Sequence, residues 1–284
     1  MGLTTASAVV FRNSAVVERF TGVGYDSNPL PARSFPQPKF VGAEYTFTTQ
    51  SVAIFDGLPT NLWRTERDVV DYKAQTAKLT IDVARASIIG GTIGKPQIVT
   101  PAYDMFVTAQ STYAQGATPS DPWIHTRQDP GSPLQDILTS SDIRMYQDVV
   151  DPTLRAQHPA SVVAETRHEI PVTTYRYTFD FGKFYESAPR VFDLVNSMDG
   201  NATADAAVTV TISLDKDMLV RYLDINVDYQ SVLEFRAKKD VEGTYPYRYT
   251  IEIVSADDTP RQLVVPNNTV EATTTTQAPP PVTP

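Results

Sequence analysis

The segment from Val208 to Asp228, VTVTISLDKDMLVRYLDINVD, alternates apolar and polar residues twice, with a polar break at Asp215-Lys216-Asp217 between the two runs. Period-two alternation is typical of a strand that buries only one face. A short cluster of aspartate and lysine favours a turn. The segment therefore predicts an antiparallel hairpin of two half-buried strands.

The same alternation recurs along the chain and predicts a largely antiparallel β protein. In the C-terminal half it recurs at residues 175–181, 233–237 and 245–253. Upstream, strands are predicted from Glu44 to Phe55, Thr65 to Ala86, Tyr103 to Tyr113 and Trp123 to His125. One face of this sheet is charged and the other is apolar and rich in aromatic residues, so another layer, a helix or a ligand must cover the apolar face.

Two helices are predicted from their start signals. Ser132-Pro133 is typical of an N-cap followed by proline at the first helical position, and Leu134, Ile137, Leu138 and Met145 give an apolar stripe. The second signal is Ser187 with Pro189, followed by Val191, Val195 and Met198. Residues 1–20 also have the spacing of a weakly amphipathic helix.

Charge and cysteine content exclude several classes of function. The net charge is -9, and no basic stripe is present that could neutralise phosphates, so we expect no nucleic-acid partner. The chain has no cysteine, which excludes disulfides, thiolate metal sites and an acylated cysteine anchor. No run of about twenty apolar residues is present to span a bilayer. We expect a native N-terminal signal or anchor to be missing from this chain.

Catalytic and cofactor motifs are not found. The chain has three histidines, His125, His158 and His168, and none stands in a metal-binding or nucleophile-activating pattern. The glycine-rich run from Gly90 to Lys95 is followed by Pro96 rather than a helix, which favours a plain turn over a phosphate loop. We therefore expect no cofactor, no metal and no enzymatic activity, although carboxylates paired from distant positions stay an alternative.

The order of elements resembles that of the LprG/LppX-type lipoproteins of actinobacterial envelopes and, more loosely, the LolA-like lipoprotein carriers. The resemblance covers roughly residues 40–266. It rests on Trp123 followed by a loop and the helix Leu134-Gln135-Asp136-Ile137-Leu138, on the strand–turn–strand from Glu165 to Phe181, on the hairpin ending Leu219-Val220-Arg221, and on the closing Leu263-Val264-Val265-Pro266.

This resemblance implies an α+β fold in which a strongly curved antiparallel β-sheet, a half-barrel, wraps over a few helices. It implies an apolar cavity for the acyl chains of a lipid, glycolipid or lipoprotein, in a protein of the periplasm, cell envelope or extracellular space that can work with a membrane transporter or another envelope protein. Burial of acyl chains gains about 0.8 kcal/mol per CH₂. The expected lining residues are Tyr175, Tyr177, Phe179, Leu223, Ile225, Phe235, Tyr247, Tyr249, Ile251, Leu134, Ile137, Leu138, Val191 and Val195.

The residues themselves leave the function open between three classes. The lining residues could equally form a solid core, because tyrosines on the inner face of a sheet are usually core. The chain is then a lipid carrier, a β-rich structural or adhesive surface or virion protein with a protein partner, or a hydrolase using dispersed carboxylates. We expect an N-terminal helix and extended connection over 1–39, a single domain over 40–266 and a disordered Thr/Pro-rich tail over 267–284.

Overall fold

The computed structural model describes residues 40–55, 58–87, 97–115, 120–127, 137–139, 141–196, 206–228 and 247–272. The predicted N-terminal helix, the glycine-rich turn, Leu134 and the strand around Phe235 lie outside these residues. Within them the protein is mostly β, with a large antiparallel sheet and few helices, so the predicted antiparallel sheet is confirmed.

The strands and helices follow one another along the chain with short connections. The strands are β1 (Gly42–Phe55), β2 (Leu58–Asp71), β3 (Thr76–Ser87), β4 (Gln97–Val99), β5 (Ala102–Thr108), β6 (Ser111–Ala114), β7 (Trp123–Arg127), β8 (Ser161–Arg167), β9 (Ile170–Asp180), β10 (Ala207–Asp215), β11 (Val220–Val227), β12 (Tyr247–Asp257) and β13 (Thr269–Glu271). The helices are α1 (Ser141–Asp148), α2 (Pro152–Arg155), α3 (Phe181–Ser187) and α4 (Pro189–Asn196).

The strands form one sheet in the order β13-β7-β6-β5-β3-β2-β1-β12-β11-β10-β9-β8, with β4 beside β3. Neighbouring strands in the described residues pair antiparallel, except β13, which pairs parallel with β7. The pairing of β1 with β12 joins the N-terminal and C-terminal halves of the sheet, with Tyr45 opposite Ile253 and Phe47 opposite Ile251.

The hairpin predicted from residues 208–228 is present as β10 and β11, with Val210 opposite Ile225 and Ile212 opposite Leu223. Asp215 holds its turn. The Asp215 carboxylate accepts hydrogen bonds from the backbone N–H groups of Asp217 and Leu219 and from the Arg221 Nε–H, at 2.9, 3.0 and 2.7 Å. The polar break thus satisfies the backbone of the turn, which is why it interrupts the alternation at this point.

The structure corrects the predicted element boundaries in the N-terminal half. The single strand expected from Thr65 to Ala86 is two strands, β2 and β3, joined by a turn over residues 72–75. The strand expected from Tyr103 to Tyr113 is likewise divided, into β5 and β6. Neither turn contains glycine or proline, so the usual sequence signals were missing.

The helices also differ from the prediction. The helix expected from Ser132 starts later in the described residues, at Ser141, and Met145 is exposed rather than part of the apolar stripe. The predicted start at Pro189 is confirmed as the beginning of α4, whereas Ser187 ends α3 and does not cap α4. Helix α3 was not predicted, because Phe181 continued the alternation of the preceding strand.

Two further predictions are corrected near chain turns. His168, expected within a strand, lies with Glu169 in the tight β8–β9 turn, where both residues have positive φ, 46° and 65°. Two successive residues at positive φ are what a type I′ hairpin turn requires. In the predicted tail, Thr269–Glu271 form β13, so this part of residues 267–284 is ordered.

Candidate functional site

The residues expected to line a cavity lie on one face of β9, β11 and β12. Ile225 pairs with Tyr249 and Leu223 with Ile251, so these side chains form continuous rows across the sheet. Most of the set is buried in one core cluster: Tyr175, Tyr177, Leu223, Ile225, Tyr247, Tyr249, Ile251, Leu138, Val191 and Val195. Phe179 and Ile137 are partly buried against this cluster, and Leu134 and Phe235 lie outside the described residues.

Helices cover these rows directly. Phe184 of α3 stacks on Phe179 of β9 with ring centroids 5.7 Å apart, and Phe192 of α4 contacts both Phe184 and Phe181. The side chains of Tyr177, Ile225 and other central members have no accessible surface. A side chain beside an empty space that could hold water keeps some accessible surface, so these residues contact protein atoms on every side.

The tyrosine hydroxyls carry the polar chemistry of this core. Burial raises the pKa of Tyr249 to about 12, although a hydrogen bond with Tyr146 of α1 acts in the opposite direction. Burial, with a smaller effect of neighbouring Tyr175, raises the pKa of Tyr177 far above its usual range. In the described part of the chain, the Tyr177 hydroxyl has no hydrogen-bond partner. These groups stay neutral at physiological pH and form part of the packed interior.

Carboxylates on the core side of β2 are relevant to the hydrolase alternative. Glu66 and Asp68 are buried on the face that also carries the apolar residues of β3. The Arg64 guanidinium donates two hydrogen bonds to one Glu66 carboxylate oxygen. A carboxylate held by a neighbouring arginine is the usual arrangement of a structural ion pair. Within the described residues, no three histidine, aspartate or glutamate side chains come together as possible metal ligands.

The opposite, outer face of the sheet carries an ordered charge network. The Arg248 guanidinium donates to both carboxylate oxygens of Asp224, each at 2.7 Å, and contacts the Tyr222 hydroxyl. Burial and the nearby Asp224 charge raise the pKa of Tyr222. Arg167, near the tip of the β8–β9 hairpin, lies 3.9 Å above the Tyr222 ring and reaches Glu252 at 3.3 Å. The hairpin tip is thereby fixed across the outer face.

At the far end of the sheet, the C-terminal segment completes the edge of β7. Val270 lies opposite Ile124, and Glu271 opposite His125. The Trp123 N–H donates to the Asn268 carbonyl, and the Ala272 N–H donates to the His125 carbonyl, both at 2.8 Å. We call β7 with the segment 268–272 the β7 edge. The backbone groups that β7 presents there are met by the same chain, as edge protection requires.

Side chains around the β7 edge form a partly exposed aromatic cluster. His125 places one ring nitrogen 2.8 Å from a Glu271 carboxylate oxygen and the other 2.9 Å from the Ser111 hydroxyl. Tyr113 stacks on the His125 ring at 4.9 Å between centroids, and Trp123 packs edge-on in the same region. The prediction that His125 is a hydrogen-bonded histidine agrees with this arrangement. Aromatic residues beside a sheet edge are typical of protein interfaces.

Residues 258–268, which we call the strap, connect β12 to β13 and are held to the sheet at its start. The backbone N–H of Arg261 donates to the buried Asp71 carboxylate at 2.8 Å, and Asp71 also accepts from the Ala74 N–H. Burial would raise the pKa of Asp257, but hydrogen bonds from the Arg261 side chain and the Thr259 backbone and the Arg261 charge lower it below its usual value.

Sequence reasoning missed the β7 edge because its features are not periodic. The three residues of β13 are exposed, so no apolar alternation marks them. The only local signal is Thr269-Val270, a β-branched pair beyond the last predicted strand. Among the described helices, none is long and apolar enough to cross a bilayer.

Comparison with known proteins adds no relative to these observations. The sequence matches no protein-family model, and it has no significant match among curated proteins.

Proposed function

We propose that the protein is a non-enzymatic β-rich structural or adhesive protein that uses a packed scaffold to bind a protein partner. The observation that carries this proposal is the burial of Tyr175, Tyr177 and Ile225, which have no accessible surface beneath the helices. A filled core leaves the outer face and the β7 edge as the surfaces for function. The β7 edge supports the proposal further, because it already binds an extended segment by backbone pairing.

The lipid-carrier function stays a prediction, together with the strongly curved LolA-like shape, the lipid or glycolipid ligand and the cell-envelope location. An acyl chain between the sheet and the helices would have to displace contacts such as that between Phe184 and Phe179. No contact in the described residues favours the hydrolase alternative over a structural role for Glu66, which Arg64 holds.

A substitution in the centre of the sheet separates a filled core from a cavity. Ile225 is fully buried, and the larger indole of Ile225→Trp has no space in a filled core. Overpacking of this kind costs on the order of 2 kcal/mol or more. We expect the free energy of unfolding in urea to fall by at least this amount. Val163→Trp on exposed β8 is the matched control and should leave the free energy of unfolding within about 0.5 kcal/mol of the parent.

Solvent extraction of the purified protein, followed by mass spectrometry, completes the test. We expect no stoichiometric lipid, also after the protein has been incubated with envelope lipids. The structural proposal is refuted if a lipid is extracted at one per chain and Ile225→Trp abolishes its binding without loss of stability, because both results require a cavity at Ile225.

A further inference from the structure

The segment 268–272 is bound to the β7 edge by few contacts. β13 has three residues, and all three side chains are exposed, including Val270 at 47%. What holds the segment is backbone hydrogen bonding, plus the contact between His125 and the largely exposed Glu271 carboxylate. An ion pair with an exposed partner contributes about 1 kcal/mol or less. The segment can therefore leave the edge without exposing any part of the core.

The strap gives this segment a long reach. Its eleven residues, 258 to 268, have no regular secondary structure, and Val264 within it is 84% exposed. An extended chain of this length spans roughly 36–40 Å. The contacts of Asp71 and Asp257 fix the strap at Arg261, so the part beyond Arg261 carries none of the strap's anchoring contacts described above. The same segment could reach the β7 edge of an adjacent molecule.

We infer that the β7 edge is a strand-acceptor site whose second occupant is the segment 268–272 of another copy of this chain. The inference rests on the proposed function and names the partner of that same edge. The segment is already complementary to the edge: Asn268 and Ala272 meet β7 backbone groups, and Glu271 meets His125. A second copy supplies identical bonds, so exchange between copies loses none of them.

Concentration decides between the two arrangements. The strap holds its own segment at an effective concentration in the millimolar range, as expected for a short flexible linker. Exchange between copies therefore becomes extensive when the local protein concentration is comparable, as it is in an assembled layer or shell. Dilute protein keeps its segment on its own β7 edge. This behaviour suits a protein that assembles from stable single copies.

Cysteine cross-linking tests the exchange directly, because the chain contains no cysteine. Ile124 and Val270 lie opposite each other and are 42% and 47% exposed. Full-length Ile124→Cys and Val270→Cys chains of different mass are mixed at high concentration and treated with a short bismaleimide reagent. We expect a covalent heterodimer between the two variants. The matched control replaces Val270→Cys with Val264→Cys, which is more exposed but has no partner position on β7.

The double variant Ile124→Cys/Val270→Cys, treated in dilute solution, should cross-link within one chain. Heterodimer at least five-fold above the Val264→Cys control supports the exchange. A yield equal to the control refutes it, and so does failure of the double variant to cross-link within one chain. The outcome is independent of the Ile225→Trp and lipid measurements. Loss of the exchange with a filled core leaves the structural function with a different partner, whereas extracted lipid refutes the structural function itself.

Discussion

Replacement of Gly42 by alanine should release the strap without disturbing the sheet. Gly42 begins β1, and the strap passes directly over it. A Cβ atom at Gly42 would lie 2.4 Å from the Thr259 carbonyl oxygen and 2.8 Å from Arg261 Cγ. Ordinary contacts of a Cβ atom begin at 3.4 Å, so the strap backbone would have to move by about 1 Å. The missing side chain of Gly42 is what allows this close approach.

The expected magnitude follows from the contacts that hold the strap. Overpacking by one methyl group costs roughly 1–3 kcal/mol where the surroundings are rigid. The strap can relieve the clash by giving up the Arg261 N–H bond to Asp71, a hydrogen bond to a charged group worth about 1.5–3 kcal/mol. We therefore expect the free energy of opening the strap to fall by about 2 kcal/mol, which corresponds to about 30-fold faster amide exchange.

Hydrogen exchange measured residue by residue is the appropriate assay. The amides of Arg261, Trp123 and Ala272 should exchange about 30-fold faster in Gly42→Ala, while amides of β10 keep their parent rates. Gly182→Ala, at an exposed position of α3, is the matched control and should leave the strap amides unchanged. Unchanged exchange at Arg261 in Gly42→Ala would refute the reasoning, and so would equal acceleration in β10, because the effect would then not be local to the strap.

Two further predictions concern the C-terminal half of the sheet. Asp215→Ala removes the partner of Arg221, whose side chain is only 13% exposed, so the free energy of unfolding in urea should fall by about 3 kcal/mol; exposed Asp217→Ala should change it by less than about 0.5 kcal/mol, and equal effects would contradict the assigned role of Asp215. Tyr249 has a folded-state pKa raised from 10.0 to about 12 by burial, so its contribution to stability is complete below pH 10 and is lost as pH rises toward 12, at about 1.4 kcal/mol per pH unit. In Tyr249→Phe the free energy of unfolding should fall less steeply over this range, and an unchanged slope would contradict the burial of the hydroxyl.

The sequence predicted the strands that bury one face, and it predicted which residues lie on that face. Val210, Ile225 and Tyr249 were expected on one side and lie together in one row, because apolar side chains at every second residue record the burial of one face. The boundaries of β2 and β3 were not predictable in this way. Their turn over residues 72–75 lacks glycine and proline, so nothing local interrupts the apparent alternation.

The candidate site was less predictable than the fold. Sequence alone identified the apolar aromatic face but left open what covers it. The contacts of Phe184 and Phe192 with this face join residues from separate elements, and alternation carries no information on such partners. The β7 edge was not predicted at all, because β13 is held by backbone groups that every residue possesses.

The sequence by itself thus determined the antiparallel sheet, the two-faced strands and the turn at Asp215, since each depends on residues close together in the chain. Only the tertiary structure decided that the aromatic face is filled by helices and that the C-terminal segment completes the edge of β7. These features depend on contacts such as that of Arg261 with Asp71 and of Glu271 with His125, between residues far apart in sequence. Long-range contacts of this kind are set by the packing of whole elements, and a periodic pattern within one strand does not record them.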